Sequence, residues 1–240
     1  MSQPMLPLED YVMMLRHPFC AAAVSTVGLM IGHAALADHT LTVNAQDNIY
    51  GAGQKTAPGG GNVPTAILKL SGNPACVEVT KVRGSLACIK NAGCITMNDT
   101  DGQYYNNADG AGPGAPSTSS NTGTAKISGI TAPLAGYLVG LFTKAHGPSG
   151  AAPPALDFTQ IGTHFLTLSP VLDQTFFVGN GHAGGGNPAV QQFNVPAGAR
   201  RLFFGISDAC NFHGVPGCYY DNAGAFTVMA RVKAGACPGG

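Results

Sequence analysis

Two acids and an amide near the end of the chain are the residues best suited to chemistry: Asp208, Asp221 and Asn222. They lie in residues 201–232, RLFFGISDACNFHGVPGCYYDNAGAFTVMARV. Calcium asks for such groups. It is a hard cation that takes roughly six to eight oxygen ligands at about 2.3–2.6 Å, from carboxylates, amide oxygens and backbone carbonyls. Two carboxylates roughly neutralise the ion, and Asn222 adds an oxygen without adding charge. Gly217 and Gly224 permit the tight backbone that carbonyl ligation needs. The run Asp221-Asn222-Ala223-Gly224 reads equally well as a plain turn, because Asp and Asn are common turn residues.

Strands must carry these groups. Residues 202–206 are an apolar run leading to Asp208, and a second strand is expected from Ala225. In 226–232 one face takes Phe226, Val228, Ala230 and Val232, and the other takes Thr227, Met229 and Arg231. That alternation predicts a strand with one buried face. The expectation is two adjacent antiparallel strands joined by an oxygen-rich loop, with Asp208, Asp221 and Asn222 converging at one end. Further strand-like runs are 41–44, 66–70, 77–82, 137–142, 175–178, 191–195, 201–206 and 225–232. Residues 51–64, 147–154 and 179–188 read as Gly/Pro loops, and 98–124 as one long structureless loop. With 34 Gly, 17 Pro and only 10% charged residues, short strands and many turns are expected rather than helices. The predicted fold class is all-β, a β-sandwich of jelly-roll type.

The first 37 residues read as a cleavable secretory signal. Arg16 and His17 form a basic start, 19–31 is apolar and uncharged, and Ala35-Leu36-Ala37 is an A-x-A cleavage site. The acids Glu9 and Asp10 fit such a segment poorly, so translation from Met13 or Met14 is expected. Residues 38–240 then form a single β-sandwich domain. Of seven cysteines, Cys20 leaves with the signal, and an even set in an exported chain reads as disulfides. The expected pairs are Cys210 with Cys218, Cys88 with Cys94, and Cys76 with Cys237. A zinc site competes weakly, because C-x-x-C spacing is lacking.

The stretch Pro216-Gly217-Cys218-Tyr219-Tyr220-Asp221-Asn222-Ala223-Gly224-Ala225-Phe226 resembles the bacterial calcium-dependent galactose-binding lectins, the LecA-type family with a galactose-binding-like jelly roll. The family pattern is apolar strand, then Asp, then P-G-x-Y-x-N-N-x-G-x-F. Here the loop after Asp208 is longer, and Asp221 stands in place of an Asn. By position, the resemblance implies that Asp208, Asp221, Asn222 and the carbonyl of Cys218 bind Ca2+. A further carbonyl is expected at an early strand end, near Cys88. Residues 136–142, 175–181 and 192–196 extend the resemblance weakly. The family's His-Pro-x-Gln sugar loop is missing. Its counterpart is expected within 98–117, where Asp101, Gln103 and Tyr104, with Asp208, are the candidate sugar-binding residues. Asp99 and Asp101 read alternatively as a second calcium site, without the spacing of an EF-hand.

The motifs of catalysis are lacking. There is no H-E-x-x-H, no G-x-S-x-G elbow and no phosphate loop, and a glycosidase would need two acids across a cleft. With 12 Lys+Arg against 12 Asp+Glu, no basic excess draws nucleic acid or an anionic membrane, and no membrane insertion is expected. The reading is a secreted calcium-dependent carbohydrate-binding protein, not an enzyme, with a homo-oligomer supplying avidity. Its rival is a structural, calcium-stabilised protein of a cell surface or matrix.

Overall fold

The computed structural model describes residues 38–65, 67–70, 75–88, 97–98, 104–110, 118–184 and 187–238, with backbone alone at 88, 97–98 and 104–106. The signal expected at 1–37 therefore lies outside the described residues. So do Asp99, Asp101 and Gln103, and Cys94 of the expected Cys88–Cys94 pair.

In chain order the strands begin with β1 (His39–Asn44), β2 (Ile67–Lys69), β3 (Ala75–Cys88), β4 (Met97–Asn98), β5 (Tyr104–Asn106) and β6 (Ser119–Gly123). Next come β7 (Ser128–Ala132), β8 (Leu138–Thr143), β9 (Leu156–Asp157), β10 (Thr167–Leu168), β11 (Thr175–Phe177) and β12 (His182–Gly184). Last are β13 (Asn187–Val190), β14 (Gln192–Asn194), β15 (Arg201–Ile206), β16 (His213–Gly214) and β17 (Asn222–Ala234). The first sheet runs β1-β17-β3-β14-β10, with β5 on β3 and β4 on β5; the second runs β11-β8-β15-β2. A smaller sheet, β16-β6-β7-β9, and the hairpin β12-β13 complete the set. The chain is an all-β sandwich.

The packing follows from the side-chain pattern. Phe226, Val228 and Ala230 of β17 are buried and face the core with Val43, Val77, Val79 and Phe193. Thr227 of the same strand is exposed, as period-two alternation requires. Strands β8 and β15 are buried along nearly their whole length, which their unbroken apolar sequences allow. The third sheet is tied to the second by Ser128, whose Oγ accepts Thr175 N–H and whose carbonyl accepts Thr175 Oγ1–H, both at 2.9 Å.

Two expectations need correcting. Strands β15 and β17 are not neighbours in one sheet. The edges of β15 are taken by β8 and β2, and those of β17 by β1 and β3. The connection 207–221 thus crosses from one sheet to the other. Second, 98–124 is not structureless: it holds β5 and β6. β6 is SSNTG, polar throughout, and is held by pairing with β7 and β16 rather than by an apolar face. Likewise β12 and the first two residues of β13 fall in the expected loop 179–188. Two of the three expected disulfides are present, Cys76–Cys237 and Cys210–Cys218.

Candidate cation site at the sheet crossing

The crossing segment starts with Ser207 and Asp208 at the end of β15. An isolated antiparallel bridge between Ala209 and Pro216 closes its base, and the Cys210–Cys218 disulfide fastens it. Cys218 adopts left-handed backbone, φ 64° and ψ 16°, which turns the chain into the short 3-10 helix Tyr219–Asp221. Asn222 then opens β17. The loop 51–64 packs beneath: Gly59, at φ +76°, lies so close that a Cβ would sit 1.8 Å from the carbonyl oxygen of Pro216. Only glycine fits that approach.

The backbone of Asp208 is gripped on both sides. Its N–H donates to Tyr219 Oη at 2.9 Å, and that hydroxyl donates to the Ile206 carbonyl at 3.2 Å. Its carbonyl accepts from Asn121 Nδ2 at 2.6 Å and from the Gly217 N–H at 3.2 Å. Of the carboxylate, Oδ1 accepts the Ala209 N–H at 2.8 Å and Oδ2 accepts Asn222 Nδ2 at 2.8 Å. Asn222 Nδ2 also donates to the Ala45 carbonyl at 3.3 Å, just past the end of β1. Both neighbours are acceptors, which fixes the amide's orientation. Asn222 Oδ1 is then a buried acceptor with no hydrogen-bond partner. Such an atom is costly unless something donates to or coordinates it.

Asp208, Asp221 and Asn222 are 9%, 5% and 3% exposed. They converge, with Ala209, Asn211, Phe212 and Cys218, on a cavity of about 10 Å³, room for one water-sized sphere. Burial pushes the Asp208 carboxyl up to about 7; the Asn222 amide and Ala209 N–H oppose the rise, and the charge of Asp221 adds to it. Two buried carboxylates without a nearby cation disfavour each other's charge, and a cation between them reverses that preference. The donors are all hard oxygens: two carboxylates, one amide and the Cys218 carbonyl. Among the described residues no three His, Cys, Asp or Glu side chains gather as for one ion. A cation here would therefore rely on amide and carbonyl oxygens beside its two carboxylates, which suits Ca2+.

The convergence expected of Asp208, Cys218, Asp221 and Asn222 is present. Cys88 stands opposite Asn222 in the β3–β17 register, and the Ala45 carbonyl is a second early-strand oxygen beside the amide. Asn121, Tyr219 and Ala45 position the acid and the amide. Of the three, only Tyr219 had a signal, the tyrosine of the P-G-x-Y run. Among the candidate sugar contacts, Asp208 has both carboxyl oxygens engaged once, leaving each a second lone pair. Tyr104 lies on β5, which pairs with Leu86 and Ala87 of β3, next to Cys88 at the site's end of the sandwich. Comparisons with family models, curated proteins and solved structures found no match.

Proposed function

We propose that this chain is an exported calcium-binding β-sandwich that engages carbohydrate through the bound ion. The observation that carries the calcium reading is Asn222 Oδ1, a buried oxygen with no hydrogen-bond partner on a residue that lines one small cavity with Asp208, Asp221 and Cys218. Asp208 and Asp221 would supply charge, and Asn222 and the Cys218 carbonyl neutral oxygens. The resemblance of 216–226 to the calcium-dependent galactose-binding lectins supports the sugar reading, and with it the jelly-roll connectivity. Neighbouring sugar hydroxyls would complete the ion's oxygen shell. Two disulfides suit an oxidising compartment, and no helix among the described residues is long and apolar enough to cross a membrane. Export by residues 1–37 would deliver the site to calcium-rich surroundings, where weak sites fill. We read the chain as binding rather than catalysing.

A second reading is favoured by the closure of the site. All three side chains are at most 9% exposed, as in an ion held only to rigidify a surface or matrix protein. A glycan array probed with calcium and again with chelator separates the two. The lectin reading expects a calcium-dependent signal on a subset of glycans. Calcium binding without any glycan signal would sink the lectin reading and leave the structural one.

A further inference from the structure

Strand β1 is an open edge of the first sheet. It pairs on one side with β17, and no described strand pairs with its other side. The other outer strands of the two main sheets are short: β4 and β10 have two residues, and β2 and β11 have three. β1 has six, HTLTVN. Proteins blunt long edges with lysine, proline or bulges. β1 contains no Lys or Pro, and its register with β17 runs unbroken from His39 across from Ala230 to Asn44 across from Ala225.

Hydrogen-bond alternation fixes which backbone groups are open. The Ala45 N–H donates to the Gly224 carbonyl at 3.0 Å. Odd-numbered residues of β1 therefore bond toward β17, and even-numbered ones point N–H and C=O outward. Asn44 obeys this: its N–H donates to Asp47 Oδ2 and its carbonyl accepts the Asp47 N–H, both at 2.9 Å. Thr40 and Thr42 are left. Both are exposed, and their backbone groups have no partner among the described residues. Against a second, antiparallel β1, Thr40 can face Thr42 of that copy and Thr42 its Thr40, each pair exchanging both bonds. A shift one way sets Thr40 against Asn44, whose groups Asp47 takes. A shift the other way sets Thr42 against Asp38, outside the strand. One register alone uses every open group.

We propose that β1 is a self-association edge, on which two copies of this chain pair antiparallel about Leu41 and join their first sheets into one. The side chains match themselves in the same register. The two Leu41 residues meet as a non-hydrogen-bonded pair, the closer kind. Leu41 is half-buried and packs on the core, so the second copy completes its burial. The threonines meet on the outer face, a favourable cross-strand pair. No like charges oppose: Asp38, already paired with Arg231, faces Asn44, and His39 faces Val43. A foreign strand is selected through pockets for its alternate side chains, whereas the main cavities are lined by residues other than 39–43. The Ala45 carbonyl, which meets Asn222, lies just past β1. Two such carbonyls would stand about 27 Å apart in the dimer, a spacing that presents paired sites to one multivalent ligand.

The dimer does not rest on the calcium reading, and its test is run in excess chelator. One strand pair buries less than the roughly 1,200–2,000 Å² of a standard interface, so association is weak. Sedimentation velocity of the purified protein from about 10 μM to about 1 mM should show a reversible shift from monomer to dimer. Thr42→Pro removes only an outward N–H, which an edge strand tolerates, and should raise the dissociation constant about tenfold or more. Thr40→Lys with Thr42→Lys sets lysine against lysine and should abolish the dimer. Thr65→Lys with Gln160→Lys, exposed elsewhere, adds the same charge and leaves it unchanged. Circular dichroism of each variant checks the fold, and either edge variant suffices should the other unfold. Under mild oxidation Leu41→Cys should cross-link two copies, whereas Thr40→Cys, beyond about 7 Å from its own copy, should not. A monomer at every concentration, which would leave the edge to another protein's strand, overturns the proposal. So does a dimer that persists in the folded edge variants, or equal cross-linking of the two cysteine variants.

Discussion

Asp208 carries the heaviest electrostatic load at the sheet crossing. Burial lifts its carboxyl from an ordinary value of 3.8 to about 7, so the folded state holds that proton more tightly than the unfolded chain does. Calcium-free protein should then lose stability as pH rises from about 4 to about 7, by on the order of a few kcal/mol. Below that window both states are protonated, and above it both are ionised with the loss complete. Urea unfolding in chelator across the window checks this: the wild-type midpoint should fall, and Asp208→Asn should be flatter. Parallel curves would contradict it. The acids and the amide were legible in the sequence because Asp208, Asp221 and Asn222 lie close together in the chain. Their supports were not. Asn121 reaches Asp208 across 87 residues and Ala45 meets Asn222 across 177, and no local pattern announces such contacts.

At the scale of elements, the crossing segment 207–221 is a strap between sheets rather than a hairpin. Its rigidity comes from the Ala209–Pro216 bridge and the Cys210–Cys218 disulfide, and from the left-handed backbone at Asn211, Phe212 and Cys218. Cys210→Ser with Cys218→Ser should cost about 2–3 kcal/mol for so short a loop and weaken calcium binding, read by unfolding and by calcium titration. Unchanged calcium affinity would show that the disulfide does not pre-form the site. Strands with apolar alternation, such as Phe226-Thr227-Val228, were legible. β6 was not, because Ser119, Asn121 and Gly123 are buried through backbone pairing and side-chain hydrogen bonds. The separation of β15 from β17 was hidden too. Adjacency in sequence suggested pairing, while β8 and β3, far away in the chain, hold the better partner edges.

For the whole molecule, the acids and the orphaned amide oxygen gather at the end of the second sheet where the chain crosses to the first. The Cys76–Cys237 disulfide, spanning 161 residues, ties β3 to the segment beyond β17 and closes the first sheet across nearly the whole described chain. Because Asp208 leaves β15 and Asn222 opens β17, an ion held between them would clamp the two sheets together. Binding there should therefore stabilise the fold globally. Calcium at about a hundredfold over its dissociation constant contributes about 2.7 kcal/mol, roughly 5–10 °C in Tm for a chain of this size. The most direct measurement is calorimetric melting of the purified protein in millimolar calcium and then in excess chelator. A reversible rise of that size, lost in Asp221→Ala, is the predicted result; superimposable melts with and without calcium would contradict the site.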